Sequence, residues 1–278
     1  MNEAVIKVFD IESYPSHLVR LIGGKRHLFD EYIEQPHAAN NLLPFDNWYS
    51  KKCDINADYR ELQFKFLHQL SDCWIEAFHI TRTFPDESFL QKYYWNRGLC
   101  LPDHTFTESY LLEILSTIDG HQDSKESFTS SFMNIYNRNE FWLSPRKKMI
   151  SIFATNSDFA LCDSSQNMTT LYGCNFLGEI GRVIQEKIND PFYDFMTECT
   201  CPHMIQLRFR ISDVVQETEA EHYEYPQDFV INQLIGILVS QHFSPDIWNI
   251  HKNNSIFLAQ LQNNVPPEQI LSIEKLPQ

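Results

Sequence analysis

Residues 4–11, "AVIKVFDI", are mostly β-branched or aromatic and run into an acidic exit, the pattern of a strand. Residues 13–58 keep no sustained period. Pro15, Pro36 and Pro44, with several Asn and Asp, interrupt them, so an irregular stretch is expected. In residues 59–74, Leu62, Phe66, Leu67 and Leu70 recur at helical spacing and predict an amphipathic helix. "IEAFHITR" (75–82) predicts a strand that turns polar at its end. Residues 86–97 predict a helix, capped by Asp86 after Pro85 and stopped by Gly98 in a left-handed turn.

Residues 103–140 read as helix and polar loop, and 147–155 as a strand. A helix is predicted over 175–188. "HMIQLRFRISDVV" (203–215) has the clearest strand pattern in the chain, and 219–226 reads as a second strand of the same sheet. Residues 227–243 form an apolar helix, and a short polar tail follows residue 253. Loose alternation with a strand-rich C-terminal half fits an α+β fold better than a doubly wound sheet, which needs regular crossover units. No repeat and no linker is visible. The organisation expected is an N-terminal elaboration (1–73), a main domain (74–253) and a C-terminal tail (254–278).

Composition narrows the function. With 22 basic and 37 acidic residues, the formal charge is −15. Most of such a surface repels phosphate backbones, which disfavours broad nucleic-acid binding. No signal peptide and no apolar run long enough for a membrane span is visible. Seven cysteines at irregular spacing, without an export signal, predict free thiols in a reducing cytoplasm. The sequon at Asn167 has no meaning in that compartment.

Three stretches can carry chemistry. On an extended strand, His79 and Thr81 share one face, with Phe78, Ile80 and Arg82 on the other. They are either a ligand-holding strand end, or a hydrogen-bonded half-buried histidine beside a surface arginine. In "LYGCNFLGEI" (171–180), Tyr172 at a helix mouth offers a flat stacking wall and Gly173 a close backbone approach. The bland alternative is a packed tyrosine at a glycine turn. In "ETEAEHYEY" (217–225), Glu217, Glu219 and Glu221 share a face. They form either a solvated acidic edge or carboxylates that stabilise a developing positive charge.

Other motifs are weaker. Asp10 and Glu12 have the Asp-x-Glu spacing of a two-metal nuclease strand, but no matching downstream aspartates follow. Cys199, Cys201 and His203 lack a second well-spaced ligand pair for zinc, so no metal is expected. "GGKR" (23–26) lacks the upstream glycine of a phosphate loop.

The order of the three stretches resembles the ADP-ribosyltransferase fold in its histidine-tyrosine-glutamate branch. That branch includes poly(ADP-ribose) polymerases, RNA 2′-phosphotransferases and DNA-modifying toxins of the DarT kind. "FHITRTFPDESFLQKYYWNRGL" is similar to the first motif, a strand with His-x-Thr, a helix, then Gly-Leu. The resemblance covers roughly residues 74–240 at motif level. It implies a mostly antiparallel, split mixed sheet with flanking helices, and NAD as substrate. By resemblance, His79 holds a ribose or the nicotinamide amide, with Thr81 and Arg82 in support. Tyr172 stacks on nicotinamide beside Gly173, and Glu221, or its rival Glu219, is catalytic. The acceptor of ADP-ribose is left open between protein, nucleic acid and water, in a toxin or defence setting. A non-catalytic nucleotide- or protein-binding relative, and a metal nuclease built on Asp10 and Glu12, stand as alternatives.

Overall fold

The structure, a computed structural model, describes residues 4–34, 57–84, 86–100, 150–155, 200–215, 226–251, 256–261 and 263–276. Helices accompany a mixed sheet, as an α+β fold requires. Its strands are β1 (Val5–Lys7), β2 (Trp74–Thr83), β3 (Ile150–Thr155), β4 (Cys201–Arg210), β5 (Val214–Val215), β6 (Ile256–Leu261) and β7 (Ile270–Lys275). Hydrogen bonding runs β5-β6-β3-β2-β4-β7, with β1 also on β2. β1 pairs parallel, Ile6 opposite Ile75. β3 pairs antiparallel, Phe153 opposite Phe78, and β5 pairs antiparallel with β6.

The chain forms two compact units. One comprises Met1–Phe78, Ser151–Phe159 and Leu207–Leu261; the other comprises His79–Ile150, Ala160–Gln206 and Gln262–Gln278.

In the first unit, β1 is shorter than its apolar run because the chain turns at once. Asp10 N–H donates to the Lys7 carbonyl at 2.9 Å. Helix α1 (Ser16–Gly23) follows, burying Leu18 and Ile22 one turn apart, in a region whose prolines suggested no regular structure. Helix α2 (Asp30–Glu34) comes next. Helix α3 (Ala57–Leu70) buries Tyr59, Leu62, Phe66 and Leu70 along one stripe, which is why a largely polar sequence forms a stable helix here.

Helix α5 (Pro226–Phe243) is buried without a break from Val230 to Ser240. Such a helix has no solvent face, so its polar residues need internal partners. Asn232 Oδ1 accepts from Tyr59 Oη at 2.9 Å and from Gln63 Nε2 at 3.2 Å. Tyr59 and Gln63 lie one turn apart on α3, so a single amide fixes that helix's register against α5. Helix α6 (Pro245–His251) brings Trp248 onto Phe9, the rings stacked at 5.8 Å between centroids. β6 buries Phe257, Ala259 and Leu261, an alternation that makes a strand of a segment read from the sequence as tail.

In the second unit, β2 ends and the chain enters helix α4 (Glu87–Leu90). Asp86 caps it, accepting from Ser88 N–H at 2.8 Å, as expected. The helix then widens into a π turn over Gln91–Trp95, with Asn96 N–H bonded to the Gln91 carbonyl at 2.9 Å. That extra residue per turn allows two successive tyrosines, Tyr93 and Tyr94, to be buried together. Phe89 packs on Tyr93 at 4.5 Å, and the Lys92 ammonium and Arg97 guanidinium lie over the Tyr93 ring.

Gly98 ends the element with φ of 74°. A side chain there would overlap the Val265 carbonyl oxygen. The close approach lets Leu99 and Val265 exchange both backbone hydrogen bonds, at 2.9 and 2.8 Å. β7 runs beside β4: Leu276 N–H donates to the Pro202 carbonyl at 2.9 Å, and Ser272 Oγ to Gln206 Oε1 at 3.1 Å.

Candidate functional site

The site to be weighed is the C-terminal half of β2. On the face shared by odd-numbered residues, Ile75, Ala77, Thr81 and Thr83 are at most 4% exposed. His79 is half-buried and interrupts this face. On the even face, Trp74, Glu76 and Phe78 are half-buried, whereas Ile80 and Arg82 are buried. The strand is therefore covered on both sides at its end, and the one break on the odd face falls at the histidine.

Arg82 is not the surface charge that one reading of the strand end expected. It is 4% exposed, with Nε donating to Thr200 Oγ1 at 3.1 Å and Nη2 to the Thr200 carbonyl at 2.6 Å. Burial draws its pKa below the ordinary guanidinium value, opposed slightly by the Cys201 thiol. Two bonds from a planar fork to one residue hold the end of β2 against the entry to β4.

Thr83 is fully buried and its Oγ1 has no hydrogen-bond partner. Its carbonyl faces the Cys201 thiol, at 3.9 Å. Sequence reasoning stopped at Arg82 and passed over Thr83, although the same alternation that pairs His79 with Thr81 adds Thr83 to their face.

The cysteine-histidine cluster is an internal feature. Cys201 and His203 are both buried on β4, and His203 Nδ1 is 3.0 Å from the Cys201 carbonyl. Because a carbonyl only accepts, Nδ1 carries the proton and the neutral imidazole keeps its lone pair on Nε2. Burial lowers the His203 pKa; the carbonyl bond opposes this, and the charges of Lys275 and Arg82 lower it further. Cys73, Cys100 and Cys201 are free thiols. Cys199 lies outside the described residues, as does Cys174, the further cysteine that could have joined it on zinc.

Asp10 and Glu12 sit past the end of β1, on a single 3-10 turn (Ile11–Ser13), and Asp10 Oδ1 accepts from Glu12 N–H at 3.1 Å. Asp10 thus caps a turn. Among the described residues no three His, Cys, Asp or Glu side chains gather as a metal site, and no helix is long and apolar enough to cross a membrane.

The structure brings together His79, Thr81 and Arg82 on one strand end. Tyr172, Gly173, Glu217, Glu219 and Glu221 lie outside the described residues. What the described part offers chemically is a half-buried imidazole on an otherwise buried face, on a strand whose end is held by a buried guanidinium. An imidazole so placed can donate or accept one hydrogen bond to a ligand, with its strand held rigid. Comparison with protein-family models, with curated proteins and with solved structures gives no match.

Proposed function

We propose that this chain is an ADP-ribosyltransferase-like enzyme that uses NAD as substrate, in an ADP-ribosyltransferase-like fold. The observation that carries the reading is the placement of His79. It alone breaks the buried odd face of β2, just before a capped helix and the Gly98–Leu99 turn. That order of strand histidine, helix and Gly-Leu is the first motif of the resemblance.

In this reading His79 hydrogen-bonds the dinucleotide, Thr81 packs beneath it, and Arg82 fixes the strand through Thr200. Tyr172 and Gly173 supply the stacking wall. Glu221, or Glu219, stabilises positive charge on the ribose as nicotinamide departs. The bond from the anomeric carbon to nicotinamide breaks, and one from that carbon to the acceptor oxygen or nitrogen forms.

A second reading is favoured by a different observation. Thr81, Arg82 and Thr83 are all buried, and Arg82 is bonded to the protein itself. A strand end packed this way also suits a non-catalytic relative that binds a nucleotide or a protein partner.

Nicotinamide release separates the two. The enzyme reading predicts release from NAD in the presence of candidate acceptors, lost in His79→Ala and in Glu221→Gln or Glu219→Gln. Binding of NAD without release supports the second reading. Observing neither binding nor release rejects the enzyme reading and, of the second, a relative that binds NAD.

A further inference from the structure

His203 occupies an unusual position in the second unit. It is 2% exposed, and its neutral form is fixed by the Nδ1 bond to the Cys201 carbonyl. The next proton must therefore go to Nε2. Its charged surroundings among the described residues are both cationic. Arg82 on β2 and Lys275 on β7 both act on the imidazole, and both lower its pKa.

The backbone ties the strand that carries Lys275 to the strand that carries His203. Leu276 N–H bonds the Pro202 carbonyl, so the end of β7 is stitched to the residue just before His203. Arg82 is anchored from the other direction through Thr200, two residues before Pro202. An imidazolium here would put a second buried positive charge near that of Arg82, where repulsion is stronger than at the surface, with the exposed Lys275 adding a weaker, solvent-screened one. Arg82 is buried and held by Thr200, so it cannot yield easily. Lys275 lies on an exposed strand end and can.

From this arrangement we infer that His203 is an acid-sensitive latch for the C-terminal strand. Proton uptake at Nε2 loosens β7 from β4, beginning at the Leu276–Pro202 bond. No bond is broken other than hydrogen bonds, and release of the proton restores the neutral contact. The latch is independent of what the strand end of β2 binds.

The sign follows from the neutral state being the one that fits. The closed latch is complete above the ordinary histidine value of 6.5 and is lost as pH falls below it. Amide hydrogen exchange on the full chain reads this directly, comparing about pH 7.5 with about pH 5 after correction for the intrinsic rate. Residues 270–276 should lose protection by about tenfold or more at the lower pH, while the buried amides of α5 keep theirs. His203→Gln should hold β7 equally at both values. Lys275→Glu, on the exposed strand end, should also blunt the acid loosening, because the new carboxylate pairs with the imidazolium. Unchanged β7 protection in the wild type at both values overturns the proposal. So does acid loosening that persists in Lys275→Glu to the wild-type extent, whether or not His203→Gln folds.

Discussion

Arg82 grips Thr200 at two points, from Nε to the hydroxyl at 3.1 Å and from Nη2 to the carbonyl at 2.6 Å. This joins the end of β2 to the residue just before β4. Removing the guanidinium leaves a buried carbonyl and hydroxyl without that donor. Arg82→Met should cost about 3 kcal/mol in denaturant unfolding. Arg82→Lys should recover only part of it, since one ammonium cannot reproduce the fork. In a double-mutant cycle with Thr200→Val, Arg82→Met should show coupling of about 1 kcal/mol. Additive losses would mean that the hydroxyl bond contributes nothing.

Gly98 is required twice over, by its φ of 74° and by the carbonyl of Val265 that a side chain would strike. Gly98→Ala should destabilise by about 3 kcal/mol or more, because backbone strain and overlap add. Thermal unfolding checks this. A loss under about 1 kcal/mol would show that Leu99 and Val265 separate freely.

Asn232 holds α3 against α5 through Tyr59 and Gln63. Its own Nδ2 is buried without a partner, so the amide is an imperfect fit kept for its acceptor. Asn232→Leu should cost about 2 kcal/mol by withdrawing that acceptor from two donors. Adding Tyr59→Phe should return about 1 kcal/mol of the loss. A second loss that simply adds to the first would contradict this account of the seam.

Thr83 makes the opposite prediction. Its hydroxyl is buried and unpaired, so Thr83→Val removes a desolvated polar atom at almost constant shape. The variant should be as stable as the wild type, or more stable by about 1 kcal/mol. Destabilisation measured by the same unfolding curves would reveal a hydroxyl bond to protein.

Much of β2 and its surroundings was legible from the chain. The strand, the Asp86 cap and the Gly98 stop follow from local rules of alternation, capping and handedness, and these need no tertiary information. Burial of Arg82 did not follow, because alternation says which residues share a face and not whether that face is covered. The partner that covers it, Thr200, is 118 residues away. Helix α1 was hidden by Pro15 just before it, in a stretch that its prolines, Asn and Asp made read as irregular. β7 was hidden because it is short and mixed with Ser, Glu and Lys, so that pairing within a sheet, not propensity, makes it a strand; β6 is apolar apart from Gln260 but only six residues long, and its polar flanks made it read as tail. The predicted helix of residues 59–74 instead ends at Leu70, and Trp74 belongs to the strand, where Arg208 and Arg210 lie over its ring at 4.9 and 4.6 Å.

The central claim is that His79 is where NAD binds, and titration calorimetry tests it most directly. The wild-type protein should bind NAD, and His79→Ala, checked to be folded, should bind it about tenfold or more weakly, the loss of one hydrogen bond to a ligand. No NAD binding by the wild type, or equal affinity in His79→Ala, would contradict the account.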